Sequence, residues 1–424
     1  MLDIKFVRAY PEIVKANLEK RHEHDKVRLV DELIRLDKEW RVLKQECDSF
    51  RQRRNSISEE INAAKKAGLD ISKLIKEAAE LPARIKATEE ELKRLEEKII
   101  WNLQRLPNIA HESVPVGMDS SENVEMRRWG IPKKPDFELK SHGELLEQWA
   151  LGDFRRGAKI SGAGFQFIKG KIALLDLALQ QFAIQKLLKK GYTFVMPPMM
   201  MRRKPYEGVV SIADFENVMY KIEGEDLYAI ATSEHPLVAQ FLDEVLDERE
   251  LPIRLCGLSA CFRKEIGSHG VDTRGLFRVH QFNKVEQVII SKPEESWHLH
   301  EEMQRNAEEL FESLEIPFRV VNCCTGDLGM VAAKRYDIEA WFPRQGKYAE
   351  VTSASNCTDY QAVGLNIRYQ HGKEQKRDYV HTLNATAIAT GRAIVAILEN
   401  FQEKDGSVSV PKVLQKFTGF KKIP

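Results

Sequence analysis

Cys261 to Glu286 reads CFRKEIGSHGVDTRGLFRVHQFNKVE. An apolar, β-prone run from Ile253 to Phe262 delivers Arg263 and Glu265 to a polar segment holding Gly267, Gly270 and Gly275, and a second run, Leu276 to Glu286, leads back. The pattern predicts a β-hairpin with a long, basic, glycine-bearing tip. Arg263, Arg274 and Arg278 offer planar donor forks that match phosphate oxygens, and Phe282 offers an apolar face on which a base can stack. A nucleotide clamp fits these residues, and so does a solvated basic hairpin. The rest of the chain decides between the two.

The 424 residues are enough for two or three domains with a sizeable core. A formal net charge of +1 means that a nucleic acid has to be met by local basic patches. Cys47, Cys256, Cys261, Cys323, Cys324 and Cys357 form no Cys-x-x-Cys pair and no metal-ligand spacing, which predicts reduced, core-filling thiols rather than zinc sites or disulfides. Met1 to Lys5 lacks the apolar core of a signal peptide and no apolar run reaches membrane-spanning length, so the expectation is a cytoplasmic chain with no membrane partner.

From Leu29 the apolar positions Leu33, Leu36, Trp40, Leu43, Cys47, Phe50, Ile57 and Ile61 follow a heptad seam. Gly68, Leu69 and Asp70 interrupt it, Ser72 is placed to cap a new helix, and the seam resumes through Ile71, Leu74, Ala78, Leu81, Ile85, Thr88, Leu92, Leu95, Ile99 and Leu106, with Asn102 as its polar member. Two such helices joined by a turn of three to four residues fold back as an antiparallel coiled-coil arm, at about 27–105, some 50–60 Å long. Pro82 removes one backbone donor from the second helix, which predicts a kink or a register adjustment. Arg41, Lys44, Arg51, Arg53, Arg54, Lys65 and Lys66 could follow a phosphate backbone, or form the solvated face of a rod. The turn-rich stretch from Leu106 through Pro115 and Gly117 to Pro135 ends the periodicity, which divides the chain into 1–110 and 111–424.

In the body, Ile172 to Lys190 is predicted helical and is stopped by Gly191, and Tyr192 to Met196 is strand-like before Pro197-Pro198. Further strands are expected at Leu227–Ala231, Arg254–Phe262, Leu276–Val288, Phe318–Asn322 and Tyr348–Ser353, with helices at Trp297–Leu314 and Arg392–Glu399. The class is α+β: a helical arm followed by an antiparallel β-sheet flanked by helices.

Gly191 to Pro198 resembles motif 1 of the class II aminoacyl-tRNA synthetases, Phe262 to Glu286 resembles motif 2, and Asn384 to Glu399 resembles motif 3 with its arginine at Arg392. Together with the heptad hairpin, Leu106-Pro107-Asn108-Ile109 and Thr232-Ser233-Glu234, they make nearly the whole chain similar to the seryl-tRNA synthetases, in an archaeal or eukaryotic-like variant.

The resemblance implies a tRNA-binding domain at 1–110, a class II catalytic domain at 111–424, and activation of L-serine by in-line attack of its carboxylate on the α-phosphate of ATP. Charge then spreads over phosphate oxygens, so the site has to supply positioned cations. By the same resemblance Arg263, Arg392 and Glu286 are the catalytic set, with Arg263 on the α-phosphate and Arg392 on the γ-phosphate. Lys264, Glu265, Val279, Phe282, Glu350, Val351, Thr352 and Ser353 complete the ATP site, Phe282 as the stacking face. Glu350 and Ser353 match the residues that hold Mg2+, for which carboxylate and hydroxyl oxygens are suitable ligands. Thr232, Ser233, Glu234, Arg263, Glu286 and Thr386 match the serine-binding positions. A site built to pair a buried hydroxyl rejects alanine, because its own polar groups would be left unpaired.

Two departures stand out. After motif 1 the bacterial Gly-Thr-Gly-Gln-Leu-Pro-Lys-Phe is replaced by Gly208-Val209-Val210-Ser211-Ile212-Ala213-Asp214-Phe215, which makes this loop a doubtful source of site residues, and motif 3 opens Asn384-Ala385-Thr386 rather than Asn-Gly-Ser. The cysteines offer no counterpart to the zinc ligands of the divergent methanogen-type enzyme, so a zinc-free site is expected. The resemblance further implies transfer of serine to the 3′ end of tRNA(Ser), and of tRNA(Sec) where present, recognised by the helical arm, with a homodimer formed through the motif 1 region. The tip Ile266 to Arg274 is expected to move between the two steps. The alternative is a non-catalytic RNA-binding or regulatory paralogue. Such a chain is expected to have lost Arg263, Glu286 or Arg392, and all three are present.

Overall fold

The computed structural model describes residues 1–211, 218–265, 275–372 and 376–424. They divide into two compact units, Leu2–Pro107 and Asn108–Pro424, the latter joined by Met1. The expected tip of the motif 2 hairpin and half of the Gly208–Phe215 stretch, residues 212–215, lie outside the described residues.

In the first unit, helix α1 (Val27–Lys66) and helix α2 (Ser72–Leu103) bury the predicted seam, including Leu33, Leu36, Cys47 and Ile57 on one and Leu81, Ile85, Thr88, Leu92, Leu95 and Ile99 on the other. Cross-helix bonds set the direction. Trp40 Nε1 donates to Glu96 at 3.0 Å, Arg51 to Glu89 at 2.7 Å and Arg53 to Glu77 at 2.6 Å, so partners fall along α2 as they rise along α1. The connection, residues 67–71, is longer than expected, and Ser72 is the first helical residue rather than the cap. Asp70 does the capping: its carboxylate accepts the Ser72 N–H at 2.9 Å and the Ser72 hydroxyl at 2.6 Å. α2 runs through Pro82 without interruption.

The second unit is built on an eight-stranded sheet of β1 (Val124–Trp129), β2 (Thr193–Val195), β3 (Ile253–Phe262), β4 (Gln281–Ser291), β5 (Phe318–Asn322), β6 (Lys334–Phe342), β7 (Lys347–Asn356) and β8 (His381–Ala389), in the order β1-β5-β6-β7-β8-β4-β3-β2. All neighbours are antiparallel except the edge pair β2–β3. Helices α3 (Gly170–Leu188), α4 (Ser296–Ser313) and α5 (Thr390–Asn400) contribute Leu175, Leu179, Met303, Phe311, Ile394 and Ile397 to the main core, where they meet Val285 and Ile289 of β4. Val288 and Ile290 of the same strand point the other way, into a second core with Leu237 and Ile367. The faces of a strand alternate, so Phe282, Lys284 and Glu286 share the side of Val288. That side carries the site.

The hairpin differs from expectation in one arm. β3 runs as predicted, but β4 begins at Gln281 rather than Leu276, because donors before it are spent elsewhere: the Leu276 N–H on His142 Nε2 at 3.2 Å and the His280 N–H on the Gly164 carbonyl at 3.0 Å. Near Leu227–Ala231 only Tyr228–Ala229 is strand. β6 was not anticipated. Its apolar Tyr336, Ile338, Ala340 and Phe342 alternate with Arg335, Asp337 and Glu339, charges that are neutralised in place by ion pairs.

Candidate active site

β3 ends at Phe262 and hands the chain to Arg263, whose N–H donates to the His280 carbonyl at 2.9 Å. The Arg263 guanidinium donates through Nε to the Ala231 carbonyl at 3.4 Å and stands 5.3 Å from the centroid of the Phe282 ring. Opposite, Arg392 in the first turn of α5 donates to the Glu350 carbonyl at 3.0 Å, pairs with the Glu350 carboxylate at 3.1 Å, and lies 5.3 Å from the Phe277 ring. Two fixed guanidinium groups, each beside an aromatic ring, thus face one cavity. Glu265, Arg278, Val279, Phe282, Lys284, Glu350 to Ser353 and Thr386 complete its lining. Glu265 takes a left-handed backbone conformation, φ 41°, and its carboxylate is 3.5 Å from Arg278.

Glu350 and Ser353 are three residues apart, and an unbroken strand would turn them to opposite faces. The β6–β7 register passes from Ile338↔Thr352 to Glu339↔Glu350, leaving Val351 as a bulge. The extra residue inverts the alternation, so Glu350 and Ser353 face the same cavity. β8 repeats the device between Thr386 and Ile388. Burial works to raise Glu350, but Arg392, Arg335 and Arg263 outweigh it and hold the carboxyl below its usual range.

A second, adjoining cavity is lined by Thr232, Glu234, His235, Glu286, Arg335, Ser355, Cys357 and Asn384, and shares Arg263, Lys284 and Ser353 with the first. Glu234 accepts hydrogen bonds from Gln361 at 2.9 Å and Asn384 at 3.1 Å. Burial, and then the nearby Glu286 carboxylate, push it up to about 7. His235 is held neutral by burial and by the charges of Lys284 and Arg263, and its Nδ1 lies 3.0 Å from the Tyr206 hydroxyl. Glu286 is almost fully buried, receives the Thr386 hydroxyl at 3.1 Å, and is paired with Lys284 Nζ at 2.5 Å.

Most of the residues singled out in the sequence meet at these cavities, but two side chains do not line them. The Ser233 hydroxyl donates to the Gly257 carbonyl of β3 at 3.3 Å, and Lys264 is fixed by its N–H on the Val218 carbonyl at 3.0 Å. Thr386 lines the cavity with the two arginines while bonding to Glu286 of the other. Lys284 was overlooked, although its place between Phe282 and Glu286 on an alternating strand marks it. Among the described residues, Cys323, Asp327 and Asp337 are the grouping whose ligand atoms come close enough to hold an ion. Arg335 already fills it, reaching Cys323 Sγ at 3.2 Å, Asp337 at 2.9 Å and Asp327 at 3.1 Å.

A family model described as the tRNA synthetase class II core domain (G, H, P, S and T) matches residues 218–401, and one described as the Seryl-tRNA synthetase N-terminal domain matches residues 1–110. The serine–tRNA ligase of Methanoculleus marisnigri is 58% identical over 418 residues, covering 98% of this chain and 98% of that protein. The chain belongs to the seryl-tRNA synthetase family. A solved seryl-tRNA synthetase from Pyrococcus horikoshii, complexed with ATP, superposes with a TM-score of 0.94 at 52% identity, over 100% of this chain and 99% of that one. The cytoplasmic serine–tRNA ligase of Naegleria fowleri, in complex with AMP, gives 0.87 at 35% identity over 100% and 98%. The class II core match of this seryl-tRNA synthetase family member takes in every residue lining the first cavity and, of the second, all but Val209 and Val210.

Proposed function

We propose that the chain is a serine–tRNA ligase that forms seryl-adenylate from L-serine and ATP and then passes serine to the 3′ end of tRNA(Ser), and of tRNA(Sec) where one is present. The observation that carries this reading is the pair of adjoining cavities joined through Arg263, Lys284 and Ser353. One suits a triphosphate and a base, with Arg263, Arg392, Glu265, the Val279 backbone and Phe282 in contact with ATP. The other suits a small zwitterion with a hydroxyl: Glu234 and Glu286 face its ammonium and hydroxyl, Thr232 adds a polar wall, Ser233 and Thr386 act through the backbone and Glu286, and Arg263 takes the carboxylate.

At the junction a serine carboxylate oxygen attacks the α-phosphorus, the bond to the β-phosphate oxygen breaks, and pyrophosphate leaves with its electron pair. Arg263 stays on the α-phosphate oxygens throughout, where its charge counts for more in the transition state than in the ground state. Glu350 and Ser353, hard oxygen donors brought to one face by the bulge, fit Mg2+, which would neutralise the phosphate charge when bound. Zinc has no part in this reading.

Homodimerisation through the motif 1 region is part of the proposal. Leu174, Leu177 and Leu188 of α3, with Phe194, Met196, Met199 and Met200, are large apolar side chains left exposed in this region, more than a solvated helix and edge strand need. The arm, residues 27–105, is read as the tRNA-binding element. Four of its basic candidates are already committed: Arg41 to Asp37, Lys44 to Asp48, Arg51 to Glu89 and Arg53 to Glu77. The side chains of Arg54, Lys65 and Lys66 carry no ion pair or hydrogen bond among the described residues, which makes them the more available phosphate contacts. A cytoplasmic location completes the reading; among the described residues no helix is long and apolar enough to cross a membrane.

Serine-dependent exchange of pyrophosphate into ATP is the test. Exchange with another amino acid instead would overturn the specificity. No exchange at all would favour the non-catalytic paralogue, against which the retention of Arg263, Glu286 and Arg392 speaks.

A further inference from the structure

Asp176 lies on α3, outside both cavities described above, and is only 5% exposed. Its Oδ2 accepts from Asn283 Nδ2 at 2.9 Å and from the Gln180 side-chain amide. Thr390 in turn donates to the Asn283 main-chain carbonyl at 3.1 Å. Asn283 stands on β4 between Phe282 and Lys284, facing the other way. Thr390 is the first residue of α5, two before Arg392. Asp176 therefore holds the side chain of Asn283 on the strand that carries Phe282, and the Asn283 main chain in turn receives the first residue of the helix that carries Arg392.

The surrounding space makes these bonds consequential. A further cavity, lined by Phe165, Asp176, Phe282, Asn283, Thr390 and Ile394, lies behind the one that faces the arginines and shares the Phe282 ring with it. A ring that lines two cavities is only partly held by close packing, and directed bonds from its own strand add to what holds it.

We propose that Asp176 is a positioning residue for the ATP site, locking β4 to the start of α5 so that Phe282 and Arg392 keep the separation that a bound nucleotide needs. This rests on the assignment of those two residues to ATP. Burial pushes the Asp176 carboxyl up, so each donor that it accepts also helps to keep it ionised. A residue acting only on overall stability would weaken every ligand alike. A residue acting on this junction should weaken ATP selectively.

The experiment uses the full-length chain with Asp176→Asn, Asn283→Asp and the two combined, measuring ATP affinity by titration calorimetry with ATP alone, KM for ATP and for serine in pyrophosphate exchange, and the melting temperature. Asp176→Asn faces its donors with an amide, so ATP affinity should fall roughly tenfold while KM for serine stays nearly constant. The combined variant exchanges donor and acceptor across the same bond and should recover to within about threefold of the natural chain. Unchanged ATP affinity in Asp176→Asn overturns the proposal. Equal losses for ATP and serine with a lowered melting temperature, unrecovered in the combined variant, also overturn it. ATP binding that depends on Asp176 in a chain without serine-dependent exchange would support the positioning role and count against the serine assignment alone.

Discussion

Lys284 holds its ammonium nitrogen 2.5 Å from the Glu286 carboxylate, with both side chains almost fully withdrawn from solvent and both on the face of β4 that meets the proposed substrates. A buried pair of this kind costs desolvation on both sides, and removing one partner leaves the other charge uncompensated. Lys284→Met is expected to destabilise the fold by about 3–5 kcal/mol in urea unfolding. Adding Glu286→Gln should recover much of that stability without restoring serine-dependent exchange. Recovery of exchange in the double variant would show that the pair serves the fold alone.

Among the described residues, Arg263 is the one arginine that lines both cavities, and it stands beside the Phe282 ring. Arg263→Ala should lower adenylate formation by at least about 10²–10³ in pyrophosphate exchange while tRNA affinity in a filter-binding assay is nearly unchanged. Loss of both together would mean that the loop has a structural role only.

Glu234 sets a pH dependence. Its carboxyl is raised from 4.5 to about 7 in the folded chain, so between those values the folded state holds a proton that the unfolded state has released. Its contribution to stability is full below about 4.5, is lost as pH rises, and levels off above about 7. Serine affinity should run the opposite way, improving as pH rises through about 7 and the carboxylate becomes able to accept the substrate ammonium. Melting temperature and KM for serine, measured from acid to mildly basic pH, should both lose this dependence in Glu234→Gln.

The arm yields a salt-dependent prediction. Replacing Arg54, Lys65 and Lys66 by alanine should weaken tRNA binding and lower the slope of log affinity against log salt by about two to three, with serine activation unaffected. Removing Leu33–Leu103 behind a short linker should preserve activation and abolish charging. Normal charging by the shortened chain would refute the arm as the tRNA-recognition element.

Leu177 on α3 is 53% exposed in the single protomer. Leu177→Glu should leave the protomer fold intact and weaken self-association by roughly thirtyfold or more in sedimentation equilibrium. Unaltered association would place the subunit contact elsewhere.

Local pattern made the helical arm readable, since a heptad seam needs only its own residues to declare a partner helix, and Trp40, Arg51 and Arg53 meet their α2 partners as an antiparallel hairpin requires. β3 was readable for a similar reason, from its own apolar run, whereas most residues that gather at the two cavities were marked by their resemblance to the class II motifs. β6 was hidden because Arg335, Asp337 and Glu339 look solvated until Arg335 and Asp337 pair with each other and Arg319 of β5 reaches Glu339. The start of β4 was misplaced because His142, far away in the chain, takes a donor that local preference assigns to a ladder.

By itself the sequence determined the class of fold, the two-part organisation and which residue types could hold a triphosphate and a small zwitterion, because these follow from periodicity and from side-chain chemistry carried along the chain. Tertiary structure alone decided that Glu350 and Ser353 share a face, that Ser233 turns to a backbone carbonyl, and that Lys284 and Asp176 anchor the two sides of β4. A bulge depends on the register between strands, and a buried pair on what is packed around it. Neither is a property of any short stretch of chain.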